Sequence, residues 1–157
     1  MKKESVMQKL FTYAGNYKYL TIASWILSAT SALIALLPFY YIWRIMQEVV
    51  LAAPDYSKNL SGLGWSAVGF ALLSMIIYIC ALLCSHIAAF HVQANMRSTL
   101  MRHILTLPMG FMDSEGSGKI RKIVNESTAA TETYLAHQMP DKAGAMATPV
   151  GLLVLLV

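Results

Sequence analysis

A short string in the second half of the chain has residue types that could bind a phosphate group. Residues 116–119 are Gly-Ser-Gly-Lys, and a phosphate loop uses glycine amides and a lysine to hold nucleotide phosphates. Asp113 stands where that motif needs its first glycine, and Ile120 stands where it needs the Ser or Thr that binds magnesium. The tight turn and the metal ligand are both missing, so we expect no nucleotide or other cofactor to bind to this chain.

Two cysteines and two histidines have side chains that could bind zinc or copper. Cys80, Cys84 and His91 fall on one stripe of a helix, whereas His86 points elsewhere. Cys84 and His91 would be about 10 Å apart along the helix axis, which is too far for one ion. We therefore expect no metal site and no disulfide, and we expect the cysteines to be small buried hydrophobes.

The sequence also contains no HExxH signature and no Ser/His/Asp arrangement, so it predicts no catalytic residues.

The elements that carry these residues are predicted to be membrane helices. Hydrophobic residues make up 57% of the chain and charged residues 13%, against roughly 25% charged residues in soluble domains. No formal charge occurs from Tyr19 to Trp43, a run about 37 Å long as a helix, whereas a hydrocarbon core is roughly 30 Å thick. A second uncharged run, from Asn59 to Met96, would extend about 57 Å, so part of that helix must project into water. We place membrane helices at 19–43 and 65–96, and we expect Pro38 to kink the first or to lie near its end.

The distribution of Lys and Arg predicts the orientation, because basic residues are retained on the cytoplasmic side of a membrane. The N-terminal tail contains four lysines, whereas the connection between the two helices contains only Arg44 and Lys58. We therefore expect an all-α integral membrane protein with a cytoplasmic tail (1–18), an extracytoplasmic loop (44–64) and a cytoplasmic helical segment (97–142). The net charge of +4 reflects this bias, and no basic stripe with interleaved aromatic residues indicates nucleic-acid binding.

The cytoplasmic segment is expected to consist of two helices joined by a turn. Pro108, Gly110 and Gly116 punctuate it, and apolar residues then recur at helical spacing from Ile120 onward. Pro140 is expected to interrupt the second helix. The apolar residues 143–157 would start a third membrane helix that the chain does not complete, so we interpret the sequence as an N-terminal fragment of a longer protein.

Several polar residues of the membrane helices are candidates for helix packing or for lining a substrate pathway. Ser24, Ser28 and Ser31 form a small-residue stripe that would let another helix approach closely. His86 is an ionisable residue at membrane depth, and such residues usually face a cavity or a partner helix. We expect packing as the main role of these four residues, with pathway lining as the alternative.

One combination of residues in the cytoplasmic segment indicates a protein family. Leu107-Pro108 and Phe111 precede a short polar spacer, which is followed by Gly118, by apolar and basic residues, and by Asn125-Glu126. This combination follows a second helix that overruns the bilayer, and it resembles the first intracellular loop of the exporter-type (type 1) transmembrane domain of ABC transporters. The sequence departs from the family pattern at Glu126, where the family usually has Asp, and at Lys119, where an acidic residue or Gln is commoner.

The resemblance implies that a turn and a short helix in this loop couple the membrane domain to a nucleotide-binding domain. The implied coupling residues are Gly118, Lys119, Ile120, Arg121, Lys122, Ile123 and Val124. At such a contact we expect a small apolar knob formed by Ile120 or Ile123, with Arg121 or Lys122 at its rim.

The resemblance also implies the partners and the function. ATP and magnesium would bind to the nucleotide-binding domain, which is either fused downstream or a separate chain. A second transporter half would complete a homodimer or a heterodimer in a bacterial or archaeal plasma membrane, and the complete protein would hydrolyse ATP to move an unknown substrate. The alternative from a different class is a small helical membrane scaffold or sensor without transport activity.

Overall fold

The computed structural model describes residues 6–51, 60–108, 110 and 116–156, and their regular secondary structure is helical. The elements in chain order are α1 (Val6–Ala14), a 3-10 turn (Gly15–Tyr17), α2 (Lys18–Ile34), α3 (Leu37–Leu51), α4 (Leu60–Leu105), α5 (Ser117–Thr133), a π-helical segment (Tyr134–Gln138) and α6 (Met139–Leu156). The expected all-α fold class is confirmed. Helix α1 lies in the N-terminal tail (1–18), for which no secondary structure was predicted.

Two helical stretches of the described residues are long and apolar enough to cross a membrane, Leu10–Val50 and Leu60–Leu105. Only 11% of the most apolar stretch of α4 is buried within the chain, and large side chains such as Trp65, Ile76 and Leu83 are exposed. A core helix of a soluble protein would be covered, so these side chains are suited to lipid or to further membrane helices. The 46 residues of α4 correspond to about 69 Å, which confirms that the second helix is longer than a bilayer is thick.

The first membrane segment is divided near Pro38. Helix α2 ends at Ile34 and α3 begins at Leu37, so Pro38 occupies the first turn of α3. Proline has no N–H, and its ring clashes with the carbonyl four residues earlier. The intervening backbone therefore tightens, with the Leu36 amide donating to the Leu33 carbonyl at 3.2 Å. Pro38 was expected to kink the helix or to lie near its end, and the structure instead divides the segment into two helices just before the proline.

The helices extend beyond the membrane segments that the charge pattern delimits. Helix α3 continues to Leu51 and α4 already begins at Leu60, so both ends of the expected loop 44–64 are helical. The physical reason is that apolar residues such as Met46 and Val49 continue the helical pattern, and the next helix breaker is Pro54. Residues 52–59, with Lys58 and Asn59, lie outside the described residues. The membrane boundaries themselves stay predictions.

The expected interruption at Pro140 was wrong, because the helical run continues from Ser117 to Leu156. The π-helical segment immediately before Pro140 explains how: the Met139 amide donates to the Tyr134 carbonyl, five residues earlier. In an α-helix the amide of residue 140 would donate to the Ala136 carbonyl, and proline cannot do so. Ser85 Oγ donates to that carbonyl instead, at 2.8 Å. A change of helical register and a neighbouring hydroxyl together accommodate the proline.

The chain packs as two compact units. The first comprises the residues up to Ala23 together with Leu83–Met139. Small side chains form its core and allow close helix contact, and α1 takes part through Ala14 and the partly buried Leu10 and Tyr13. The buried core residues are Ala14, Ala89, Val92, Leu135 and Ala136. The Asn95 side-chain amide also donates to the Tyr13 carbonyl at 2.9 Å, which anchors the end of α1.

The second unit comprises Ser24–Leu82 and Pro140–Val157. Its helices also meet through small residues: a Cβ atom added at Gly151 would lie 2.6 Å from Leu36 Cδ1 and 2.7 Å from Leu33 Cδ2. The absent side chain at Gly151 therefore makes room for two leucines of the first membrane segment. Such close contacts supply van der Waals packing, which is a main source of stability between helices in lipid.

Candidate functional site

The implied coupling residues occupy the first two turns of α5. Gly116 precedes this helix with φ of 74°, a left-handed conformation that favours glycine and turns the chain into the helix. Gly118 to Val124 are therefore not a separate short helix, because the following residues continue the helix without a breaker to Thr133. Met109, Phe111 and Asp113 of the family motif lie outside the described residues.

Within the first unit, the start of α5 packs beside the end of α4 and leaves a cleft of about 480 Å³. The cleft is lined by Arg97, Met101 and Ile104 of α4 and by Ile120, Arg121 and Val124 of α5. Val124 is buried and Ile120 is half-buried, so both contribute to packing within the chain. Ile123 instead has 53% of its surface exposed. Of the two expected knob residues, Ile123 is the one whose apolar side chain is available to a partner.

Charged residues surround the exposed Ile123. Arg121 and Lys122 are exposed, and Lys122 Nζ lies 3.8 Å from Glu126 Oε1 one turn along the helix. Both partners of this pair are about two-thirds exposed, and such surface pairs contribute little to stability because water screens them. The charges therefore remain suited to the rim of an interface, with an apolar residue between them.

Within the first unit, His86 is half-buried, and its ring centroid lies 4.8 Å from that of His137 in an edge-on arrangement. His137 was not predicted as a neighbour of His86, because it lies in the π-helical segment far along the chain and no local pattern links it to α4. The ring of Phe90 also lies beside His86, at a centroid distance of 5.8 Å. His86 therefore packs beside two aromatic rings, and a place in a substrate pathway stays a prediction.

The serine stripe of α2 is buried. In the second unit, Ser28 Oγ donates to the Pro140 carbonyl at 2.7 Å, and Ser31 Oγ donates to the Ser74 carbonyl at 2.8 Å. Ser24 is completely buried. A Cβ atom added at Gly144 would lie 3.2 Å from Ser28 Oγ, so the contact between α2 and α6 depends on the glycine. The stripe thus joins α2 to both α4 and α6.

A tyrosine and an aspartate that the sequence analysis did not select lie beside this stripe. Tyr78 Oη donates to Asp141 Oδ1 at 3.0 Å. Both residues line a small cavity with Ser28, Ser31, Ala32 and Gly144. The helical period could have revealed Asp141 if it had been continued through Pro140 into the third membrane segment.

The placement of both cysteines differs from expectation. Cys80 is exposed on α4 and Cys84 is half-buried, whereas both were expected to be buried. The reason is that the chain covers little of this part of α4, so Cys80 lies on a face suited to lipid. Within the part of the chain that the structure describes, no group of three or more His, Cys, Asp or Glu residues could hold a metal ion.

Comparison with known proteins identifies a matching family and several relatives of this chain. The family profile described as the ABC transporter transmembrane region matches residues 19–157. The mycobactin import ATP-binding/permease protein IrtA of Mycobacterium tuberculosis is 30% identical over 135 residues. Its namesakes from Mycolicibacterium smegmatis and Mycolicibacterium thermoresistibile are each 27% identical over the same length. These alignments cover 86% of this chain and 15 to 16% of the relatives, so the chain spans about a sixth of their length.

The family match also decides between the two classes of function. The structure provides two apolar helical stretches of membrane-spanning length, and the matched region covers both of them. Neither the family match nor the relatives favour a membrane scaffold or sensor. The chain is an integral membrane protein, and it belongs to the family of ABC transporter transmembrane regions.

Proposed function

We propose that this chain forms part of the substrate pathway of an ATP-driven transporter and receives motion from a nucleotide-binding domain at the start of α5. The observation that carries this proposal is the unbroken helical run from Ser117 to Leu156, which contains both the coupling residues and the third apolar segment. Its 40 residues correspond to about 60 Å. A displacement of the coupling residues can therefore pass along this helical run to the third apolar segment.

The partner at the coupling end is a nucleotide-binding domain, which binds ATP and magnesium. The names of the IrtA relatives combine ATP-binding and permease functions, and this supports a nucleotide-binding partner for the present chain. A second transporter half completes the pathway as a homodimer or a heterodimer. The catalytic chemistry then belongs to the partner domain, and the complete transporter hydrolyses ATP.

In this arrangement the N-terminus and α5 face the cytoplasm. The Lys and Arg residues of the N-terminal tail and of the segment from Arg97 onward support this orientation through their number. The exposed Ile123, flanked by Arg121 and Lys122, then contacts the nucleotide-binding domain. The half-buried Ile120 supports the contact from behind by packing in the cleft with Val124.

The coupling role is tested by Ile123→Asp in the full transporter, reconstituted in lipid. The substitution places a charge where an exposed apolar anchor contacts the partner, and loss of such an anchor costs about 1 to 3 kcal/mol. Since 1.4 kcal/mol corresponds to tenfold, we expect substrate-stimulated ATPase activity and transport to fall together by about tenfold or more. Basal ATPase activity should be partly retained.

Ala130→Asp is the matched control, because Ala130 is exposed on the same face of α5 two turns further along. This variant introduces the same charge outside the proposed contact and should keep substrate stimulation. If Ile123→Asp and Ala130→Asp both show normal stimulation at normal expression, the start of α5 is not the coupling element.

A further inference from the structure

A small cavity lies beside the serine stripe of α2. It lies within the second unit, has a volume of about 250 Å³, and is lined by Ser28, Ser31, Ala32, Tyr78, Asp141 and Gly144. At roughly 30 Å³ per liquid water molecule, this volume corresponds to about eight waters. The cavity is therefore large enough for a small polar group with several carbon atoms attached to it.

The hydroxyl groups around the cavity already donate their protons to other groups, so the polar atoms that remain available there are hydrogen-bond acceptors. Ser28 donates its proton to the Pro140 carbonyl, Ser31 donates to the Ser74 carbonyl, and Tyr78 donates to Asp141. Each hydroxyl oxygen keeps lone pairs that can accept a further hydrogen bond, and an ionised carboxylate is an acceptor only. A ligand that bonds to this set must therefore supply hydrogen-bond donors.

The carboxylate of Asp141, which is exposed within this chain, also gives the cavity a formal charge next to the uncharged run of α4. Asp141 contacts Tyr78, and residues 59–96 around Tyr78 carry no formal charge. Tyr78 belongs to the predicted membrane helix 65–96, so its bond to Asp141 places this carboxylate beside that helix and not in the cytoplasmic segment 97–142 that the charge pattern predicted. An ionisable side chain beside the membrane-spanning part of a helix is costly, and such side chains typically face a cavity and mark substrate or ion pathways. The site therefore favours a ligand that is positively charged as well as a donor.

We propose that this cavity binds the protonated amino group of a transported organic molecule, with Asp141 as its counter-ion. An ammonium group offers three donors to the Asp141 carboxylate and the serine oxygens, and hydrogen bonds between charged groups are the stronger ones. The ring of Tyr78 adds a surface that attracts a cation. This inference rests on the proposed function, because it places the amine site in the transporter's substrate pathway.

The test is equilibrium binding of radiolabelled 2-phenylethylammonium to the full transporter in lipid nanodiscs without nucleotide. We expect saturable binding that Asp141→Asn weakens about tenfold or more, because a hydrogen bond to a charged group and the charge itself are lost. Asp141→Glu, which restores the carboxylate, should recover most of the affinity. Glu132→Gln is the matched control, because it removes one carboxylate outside the cavity and should leave binding unchanged.

Competition on the unaltered transporter keeps the proposal testable even where Asp141→Asn does not fold. Unlabelled 2-phenylethylammonium should displace the label, whereas propylbenzene, which has a methyl group in place of the ammonium, and the uncharged 2-phenylethanol should not. Equal competition by either neutral compound, or full binding by Asp141→Asn, would overturn the proposal. Displacement by sodium or potassium ions as effective as by the amine would assign the cavity to an inorganic cation instead, which also overturns it.

The same measurement separates this inference from the coupling proposal. Ile123→Asp should bind the amine normally, since binding without nucleotide does not require coupling. Normal amine binding together with unimpaired substrate stimulation in Ile123→Asp would refute the coupling role and leave the amine site standing. Absence of amine binding together with loss of substrate stimulation in Ile123→Asp would refute the amine site and leave the coupling role standing.

Discussion

The hydroxyl of Ser85 shows how one side chain can support a backbone irregularity. It is almost fully buried, and it donates to the Ala136 carbonyl, which the proline at position 140 leaves without its usual amide donor. Within an apolar region a carbonyl without a hydrogen bond is costly. The position of Ser85 on α4 thus explains why Pro140 does not end the helical run.

This role predicts a measurable loss of stability in Ser85→Ala. The substitution leaves the Ala136 carbonyl without this donor, at an expected cost of about 1 kcal/mol, close to the values for hydrogen bonds between membrane helices. The full transporter in detergent should therefore unfold at a lower temperature. Ser66→Ala is the control, because Ser66 Oγ bonds only within its own helix, to the Gly62 carbonyl. Equal melting temperatures for the two variants would contradict the proposed role of Ser85.

At the scale of elements, close packing in the second unit depends on glycine and serine. Gly144 of α6 faces Ser28 of α2, whose hydroxyl is held by its bond to the Pro140 carbonyl. A methyl group at position 144 would approach Ser28 Oγ to 3.2 Å. Because Ser28 cannot move away without losing its hydrogen bond, the two helices would have to separate.

Gly144→Ala is therefore expected to destabilise the transporter by about 1 to 3 kcal/mol, the range for overpacked sites. Gly69→Ala is the matched control on α4, since an added Cβ there meets nothing within 4 Å, and the change should be neutral or slightly stabilising in a helix. Thermal unfolding of both variants measures the difference. A Gly144→Ala transporter as stable as Gly69→Ala would show that α2 and α6 do not require this close contact.

At the scale of the whole molecule, the basic residues predict a hairpin that leaves the cytoplasm in its first membrane segment and returns in α4. The prediction is tested with single cysteines after Cys80 and Cys84 are replaced. Ser61 and Ser117 are exposed positions that should lie on opposite sides of the membrane. A membrane-impermeant thiol reagent applied to intact cells should label a cysteine at position 61, and should label one at position 117 only after permeabilisation. The reverse pattern would invert the orientation.

Local sequence patterns predicted much of this protein. The two apolar stretches and the length of the second helix follow from hydropathy and from the rise of a helix per residue, and proline geometry predicts an irregularity near Pro38. All of these act over a few turns. The motif around Gly118 indicated the family, which the match over residues 19–157 confirms. The long helical run that contains the coupling residues was not predicted, because Pro140 was expected to interrupt it. The sequence around Pro140 gives the same signal whether or not a π-helical segment precedes the proline.

Only the tertiary structure decided which polar groups meet. Ser28 bonds to a carbonyl 112 residues away, and Tyr78 bonds to an aspartate 63 residues away. Ile120 and Ile123 are equivalent apolar residues in the sequence, yet packing against α4 leaves Ile123 the more exposed. The physical reason is that hydropathy and helical period specify which face of a helix is apolar or small, whereas the partner of a particular hydroxyl or carboxylate depends on the register between helices that are distant in sequence.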